Sequence, residues 1–222
     1  MTQNYGSEYE ITVLCTDPTP WMAGVNPDKP LVEVHQWHGA RVVRLTVPSK
    51  DWSVGYNRSI ENFCSQWFKW ENFDLIHAHC IQVIGVGPLS VARQMRIPYA
   101  ITLHDGWWLS PRQFLITVSG QPVDLVDSLG HLEHKAKCDL KPKARKSLFK
   151  RQKELQRTIA DASARWAVSE SFAQLHREAG VADVDVMENF WQPMSMSCPR
   201  MRRPANEPLR CCFIGGIALH KG

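Results

Sequence analysis

The sequence lacks the features that mark membrane-spanning and disulfide-stabilised secreted proteins. No stretch approaches the roughly 18–20 apolar residues of a membrane-spanning helix. The first residues do not show the charged and apolar blocks of a secretory signal peptide. The seven cysteines are odd in number and irregularly spaced, a pattern typical of reduced thiols rather than of a disulfide framework. No internal repeat is visible. These absences favour a cytoplasmic protein.

The composition is that of an ordinary soluble globular protein. Hydrophobic residues make up 44% of the 222 residues and charged residues 22%. This length corresponds to one large domain or about one and a half ordinary ones, and it is enough to bury a substantial core.

Positive charge is concentrated in one short segment, residues 133–157. This segment holds ten Lys or Arg residues against three acidic ones, a net charge of +7, whereas the whole chain carries +4. Apolar residues recur at helical spacing within and just after it: Leu148, Leu155, Ile159 and Ala162.

Two interpretations of this basic helix stay open. It is either a solvated helix face packed on a sheet, or a surface that attracts anionic lipid headgroups or phosphate-bearing substrates. Nucleic acid is not expected as a partner, because no recognition motif and no interleaved aromatic residues accompany the basic run.

Residues 74–108 predict a parallel βαβ unit. The order is strand, Gly-rich turn, helix, short Ile-Pro connection and second strand, and this strand ends at His104 and Asp105. Ligands of open α/β sheets collect at the carboxyl ends of the strands. An ionisable pair at such an end is therefore a candidate reaction centre.

The remaining elements follow from alternation, periodicity and turn residues. Ser169 is predicted to cap a helix at its start and Gly180 to end it. Strands are predicted at residues 11–15, 41–47, 165–168, 184–187 and 209–214, a helix at 60–70, and a hairpin at 114–123.

The predicted domain organisation has three parts. Residues 1–191 form an acceptor-side domain, residues 192–208 an interdomain linker without periodicity, and residues 209–222 the first strand and loop of a second domain. Both ends look truncated, because the first strand lacks a preceding glycine-bearing unit and the last loop is followed by nothing.

The ordered motifs ITLHDGWW, SPRQFL, WAVSESF, ENF and FIGGIALHKG resemble the family 4 (group 1) retaining glycosyltransferases of bacterial polysaccharide synthesis. The resemblance runs from about Ile11 to Gly222. It implies the GT-B architecture, in which two Rossmann-like domains face a cleft. The expected fold class is therefore α/β, a Rossmann-like parallel sheet flanked by helices, corresponding to the GT-B N-terminal domain.

The resemblance also implies a reaction and its partners. A sugar would pass from a nucleotide-sugar donor to a glycan or lipid-linked acceptor with retention of configuration, without an obligatory metal or other cofactor. Separately from the resemblance, the second interpretation of the charge pattern has the basic helix from Lys143 to Arg157 contacting an anionic membrane surface. The expected location is cytoplasmic, peripheral on the inner face of the plasma membrane.

Site residues follow from the same resemblance. His104 matches the histidine near the transferred sugar, and an imidazole can donate to or polarise a hydroxyl near neutral pH. Asp105 is expected to orient His104 or bind an acceptor hydroxyl. Lys221 matches the lysine that contacts the donor diphosphate, together with Gly215 and Gly216. Acceptor contacts are expected from Trp107, Trp108 and Arg112.

Two departures from the family pattern limit the expected activity. The opening Gly-Gly loop has no counterpart ahead of Glu10, and the two-glutamate motif that grips the donor belongs to a domain that residues 209–222 only begin. The missing donor domain would be supplied in cis or in trans, and this chain alone is not expected to turn over. The alternative function is a non-catalytic remnant or a glycan- or lipid-binding module.

Several competing interpretations of single residues remain. His104 could be an ordinary hydrogen-bonded histidine at a strand end, and the tryptophans could be core residues. His77, His79 and Cys80 have a ligand-like spacing, but residues two apart on a strand leave no third ligand in reach. The Gly85-Val86-Gly87 turn matches neither a dinucleotide fingerprint nor a phosphate-binding loop.

Overall fold

A computed structural model of the chain describes residues 8–17, 29–47, 55–111, 113–116, 121–123 and 142–189, with only the backbone given for 142–145. The predictions for Arg112, for the linker at 192–208 and for Gly215, Gly216 and Lys221 lie outside these residues.

The first three strands form one sheet. They are β1 (Thr12–Thr16), β2 (Leu31–Trp37) and β3 (Ala40–Thr46), in the order β1-β3-β2. β1 and β3 pair in parallel from Thr12 opposite Arg41 to Thr16 opposite Leu45. The strands predicted at 11–15 and 41–47 are confirmed with shifts of one residue.

Strand β2 was not predicted from the sequence. It pairs antiparallel with β3 through a two-residue turn at His38 and Gly39, whose φ values are 46° and 82°. Positive φ at both central positions is the geometry of the tight turns that join hairpin strands. All seven residues of β2 are exposed at the edge of the sheet. The strand therefore has no buried face to produce a strong hydrophobic pattern.

The predicted βαβ unit is confirmed. It consists of β4 (Ile76–Ala78), a helix at Gly87–Gln94, and β5 (Tyr99–Leu103), with Ile76 opposite Tyr99 in a parallel register. Two more parallel strands, β6 (Ala164–Ala167) and β7 (Asp185–Val186), complete the order β4-β5-β6-β7. Every residue of β5 is buried, as expected for a strand covered on both faces. The sheet and its helices form the expected Rossmann-like α/β arrangement.

Helix α1 (Arg58–Trp67) precedes this unit, and α2 is the helix at Gly87–Gln94. The Asn57 side chain caps α1 by accepting from the Ile60 N–H at 3.4 Å. A Cβ on Gly87 would lie 2.8 Å from the Glu61 Cβ, so glycine lets the two helices approach closely. The Gly-rich turn therefore serves helix packing.

Helix α3 (Pro142–Ala160) is the predicted basic helix. Leu155 and Ile159 are buried on its inner face, and Ala162 is buried just beyond its end. The Tyr99 hydroxyl of β5 donates to the Thr158 carbonyl at 2.8 Å. The apolar stripe predicted from the sequence thus packs α3 on the sheet.

Helix α4 (Glu170–Glu178) has the predicted boundaries. The Ser169 hydroxyl accepts from the Phe172 N–H at 3.2 Å, and Gly180 follows the helix with a φ of 87°. The predicted hairpin at 114–123 is reduced, among the described residues, to one antiparallel bridge between Ile116 and Pro122. Its Ser119-Gly120 turn lies outside them.

His176 on α4 is a buried imidazole with an unusual environment. It is 0% exposed, and neither ring nitrogen has a hydrogen-bond partner among the described residues. The Phe172 ring meets it edge-on, with ring centroids 4.8 Å apart. Burial lowers the pKa of His176 to about 4.

We expect His176→Leu to stabilise the fold, and to do so increasingly at acidic pH. The folded-state pKa of about 4 lies below the ordinary value of 6.5. The unfolded chain therefore binds the proton first, and stability is lost as pH falls from 6.5 towards 4. The variant escapes this loss, which amounts to at most about 1.4 kcal/mol for each pH unit. Denaturant unfolding at pH 7.5, 6 and 5 measures the difference.

The matched control is His35→Leu, because His35 is exposed on the edge strand β2. This control should leave the pH dependence of unfolding unchanged. An identical pH dependence for His176→Leu and the original protein would show that His176 is not held neutral by burial.

Candidate active site at the carboxyl edge of the parallel sheet

The candidate site lies where β4 and β5 end. His79 follows β4 by one residue, and His104 and Asp105 come directly after β5. Because the two strands are parallel, these side chains project from the same edge of the sheet. This is the position predicted for His104 and Asp105.

His104 is hydrogen-bonded to His79. The Nε2 of His104 lies 2.9 Å from the Nδ1 of His79, and the two rings are tilted by 34° with centroids 5.2 Å apart. From the sequence, His79 was a candidate only as a metal ligand, and this bond was not predicted. The structure therefore adds His79 to the site.

A second layer of contacts holds His79. The His77 ring packs on it with centroids 4.1 Å apart. His77 is fixed in turn by a 2.8 Å bond between its Nε2 and the Thr102 hydroxyl, and by an edge contact with Trp166 at 5.4 Å. The rings thus form a continuous row of tilted and edge contacts from Trp166 to His104.

The pKa values of the two histidines behind His104 are lowered. Partial burial, followed by the proximity of His77 and His104, lowers the pKa of His79 to about 4. Partial burial and His104 lower the pKa of His77 as well. At pH 7 His79 is therefore an uncharged imidazole with one N–H donor and one acceptor nitrogen. Over the residues that the structure covers, no three His, Cys, Asp or Glu side chains are arranged to hold a metal ion.

Asp105 fastens the loops around the site. Its Oδ2 accepts from Gln82 Nε2 at 2.9 Å and from Gln113 Nε2 at 2.6 Å. Its Oδ1 accepts from the Trp107 N–H at 2.9 Å, which starts a short 3-10 turn at Gly106–Trp108. None of these three bonds reaches His104. The geometry gives Asp105 a loop-shaping role, and its catalytic role stays a prediction.

Gly106 makes this arrangement possible. Its N–H donates to the Gln113 carbonyl at 2.9 Å. A Cβ at this position would lie 2.4 Å from the Leu115 side chain and 2.9 Å from the Gln113 carbonyl oxygen. The loop can therefore fold tightly over the strand end only with glycine here.

Trp107 and Trp108 are core residues in this structure, 1% and 2% exposed. Arg151 of α3 donates to the Trp107 carbonyl at 2.8 Å, and its guanidinium lies 4.6 Å from the Trp107 ring centre. Gln152 donates to the Trp108 carbonyl at 3.0 Å. The burial agrees with the core-packing alternative. Stacking of either indole on an acceptor sugar stays a prediction, and the small exposed fraction of both side chains does not support it.

A cavity of about 270 Å³ opens beside the site. It is lined by the end of β1 and by the loop after β4: Leu14, Cys15, Thr16, Cys80, Gln82, Val83 and Ile84. Its lining is mostly apolar, and Gln82 connects it to Asp105. Burial and the charge of Asp105 raise the pKa of the Cys80 thiol, so Cys80 stays protonated and is a poor nucleophile at neutral pH.

Comparison with known families agrees with this architecture. A family model described as a glycosyl transferase 4-like domain matches residues 6–189. The chain belongs to the glycosyl transferase 4-like family. No curated protein and no solved structure matches the chain at a significant level.

The match covers every residue of the described site in this glycosyl transferase 4-like domain, including His79, His104 and Asp105. The family resemblance predicted from the sequence is confirmed, and with it glycosyl transfer as the general class of function. The residues predicted to contact the donor diphosphate lie beyond the match.

Three residues of the site were not predicted from the sequence to act there. Their hydrogen bonds join residues that are far apart in sequence. The separation is 25 residues for His79, 23 for Gln82 and 8 for Gln113. The local signal for His79 was the HAHC sequence of residues 77–80, which spans the end of strand β4. No local signal marks Gln82 or Gln113, because a glutamine in a loop is usually solvated.

We expect Asp105→Ala to destabilise this glycosyl transferase 4-like domain by about 2–4 kcal/mol, because it removes the acceptor of three hydrogen bonds. Asp105→Asn keeps a carbonyl oxygen for the Trp107 N–H and should cost less. Denaturant unfolding measures both. Asp74→Ala is the matched control, since Asp74 is exposed in a loop. A loss below about 0.5 kcal/mol for Asp105→Ala, the range of ordinary surface substitutions, would contradict the fastening role.

Proposed function

We propose that this protein transfers a sugar from a nucleotide-sugar donor to a glycan or lipid-linked acceptor with retention of configuration, in cell-surface polysaccharide synthesis. The observation that carries the proposal is the place of His104: its half-buried ring stands at the carboxyl end of the central strand β5, held by His79, in a chain of the glycosyl transferase 4-like family.

His104 suits a reaction centre for a chemical reason. An imidazole near neutral pH both donates and accepts protons, so it can bind a sugar hydroxyl or polarise one. Its ring is fixed before substrate arrives, which reduces the entropy lost on binding. Asp105 and Gly106 then shape the loop that faces the same edge.

The donor side of the proposal rests on the sequence resemblance. Gly215, Gly216 and Lys221 would contact the donor diphosphate, where backbone N–H groups and a lysine offset negative charge on the leaving group. No cofactor or metal is part of the proposed reaction.

The acceptor side is proposed for the cavity beside the histidines. It opens between β1 and the loop after β4, and Gln82 joins its wall to Asp105. An apolar lining with a few polar groups suits the apolar ring faces of a sugar or the proximal part of a lipid. Arg112 would contribute to the same acceptor contacts.

The outer face of α3 supports contact with an anionic membrane. Four cationic side chains recur along one exposed stripe: Lys146, Lys150, Lys153 and Arg157. Phe149 lies beside them and is 48% exposed. In the part of the chain that the structure describes, no helix has the length and apolar character needed to cross a bilayer. We therefore propose a peripheral contact that brings the site to lipid-linked acceptors.

We expect His104→Ala to lower sugar transfer by the protein roughly 100-fold, because it removes the group placed to handle the hydroxyl proton. The assay follows transfer of labelled sugar from a panel of nucleotide sugars to extracted glycan and lipid-linked acceptors. The configuration of the product sugar tests retention.

The control for this substitution is His35→Ala on the exposed edge strand, which should leave transfer unchanged. Normal transfer by the His104 variant would remove His104 from the mechanism. Binding of acceptor without transfer from any donor would favour the alternative of a glycan- or lipid-binding module.

For the membrane contact, we expect the protein to sediment with vesicles rich in anionic lipid and to be released by salt. Lys150→Gln with Lys153→Gln should weaken this binding by about tenfold or more, since each cation near the surface contributes about 1 kcal/mol. The charge-matched control is Lys29→Gln with Lys69→Gln, at exposed positions outside α3. Equal binding to neutral vesicles would contradict the electrostatic account.

A further inference from the structure

The bond between His79 and His104 has a consequence for the reacting atom of His104. A hydrogen bond between two imidazoles joins one N–H to one lone pair, so it occupies one nitrogen on each ring. Here the occupied atoms are Nδ1 of His79 and Nε2 of His104, 2.9 Å apart. Among the described residues no hydrogen bond is made by Nδ1 of His104.

We propose that His79 is a positioning residue that fixes the ring orientation and the tautomer of His104, so that Nδ1 of His104 is the single nitrogen offered to substrate. This inference rests on the function proposed above and assigns to it the contacting atom. His79 itself does not touch the reacting groups.

The orientation follows from the packing behind His79. Its ring lies on His77 at a centroid distance of 4.1 Å, and His77 is held by the Thr102 hydroxyl at 2.8 Å. Thr102 is buried in β5, two residues before His104. Strand β5, which His104 directly follows, therefore also holds His77 through Thr102. His77 in turn packs on His79.

Because His79 is neutral, its tautomer and that of His104 are coupled through their shared hydrogen bond. With its pKa lowered to about 4, His79 carries a single ring proton at pH 7. If Nδ1 of His79 is the donor, neutral His104 must carry its own proton on Nδ1. If Nδ1 of His79 is the acceptor, His104 donates from Nε2 and its Nδ1 is a lone pair. In either case the proton on His79 decides whether His104 presents a donor or an acceptor to a sugar hydroxyl.

A substitution pair separates this role from simple packing. His79→Leu replaces the imidazole by an apolar side chain of similar size, which cannot form the hydrogen bond to His104. His79→Asn places an amide group close to where Nδ1 stands, and the amide can either donate or accept. We expect kcat to fall by roughly 30- to 100-fold in His79→Leu, because the His104 ring is no longer held in its reactive orientation. KM for the donor should change by less than about threefold, since donor binding does not depend on this orientation. His79→Asn should recover kcat to within about fivefold of the original.

The second measurement is the tautomer of His104 by two-bond ¹H–¹⁵N correlation spectra of the ¹⁵N-histidine-labelled chain at pH 7, assigned by the loss of its signal in His104→Ala. We expect one tautomer in the original protein and in His79→Asn, and an averaged mixture in His79→Leu. His35→Leu serves as the control for both measurements, and unfolding curves show that each variant is folded.

Any of three results overturns the inference: the same tautomer in His79→Leu as in the original, an unchanged kcat in that variant, or a failure of His79→Asn to recover kcat. Absence of any transfer activity in the original protein would refute the proposed function. In that case the spectra still decide whether His79 sets the tautomer of His104, so the two failures are distinguishable.

Discussion

The parallel pairing of β5 on both sides is the constraint on which the site depends. β5 pairs with β4 through Ala78 opposite Ile101 and with β6 through Ala167 opposite Leu103. This register brings the ends of β4 and β5 to one edge, where His79 and His104 come within hydrogen-bonding distance. A shift of one residue would turn each side chain to the opposite face of the sheet. The buried side chains of β5 make such a shift costly, so the core holds the site in register.

Charge is distributed to match this geometry. His79 stays uncharged at pH 7, and the Asp105 carboxylate accepts three hydrogen bonds from the loops. The site is thus polar and preorganised. Four exposed cationic side chains lie away from this site, on the outward stripe of α3, where solvent screens their charge. The same helix sends Arg151 and Gln152 inward to the tryptophan carbonyls. The helix whose outer face is proposed to contact a membrane is therefore hydrogen-bonded to the loop of the candidate site.

Local features of the fold were predictable because a few neighbouring residues encode them. The caps at Ser169 and Gly180, the apolar stripe of α3 and the βαβ unit each depend on periodicity or on a single turn residue. Strand β2 escaped prediction because its apolar residues are all exposed, so no buried face gives them a pattern. Of the candidate site, His104 and Asp105 were predictable, since strand ends are recognisable in the chain. Their partners were not, because Gln82 and His79 meet them only after the strands have paired.

The sequence by itself determined the family, the α/β class, the position of His104 at a strand end and the amphipathic basic helix. Tertiary structure alone decided that His104 meets His79, that Asp105 bonds to loop amides, and that Trp107 and Trp108 are buried. The physical reason is the range of the interactions. Capping and periodicity act within one or two turns of chain, whereas the deciding contacts join residues 25 and 44 positions apart. Such contacts are fixed by sheet register and by packing of α3 on the core, and these arise only in the folded chain.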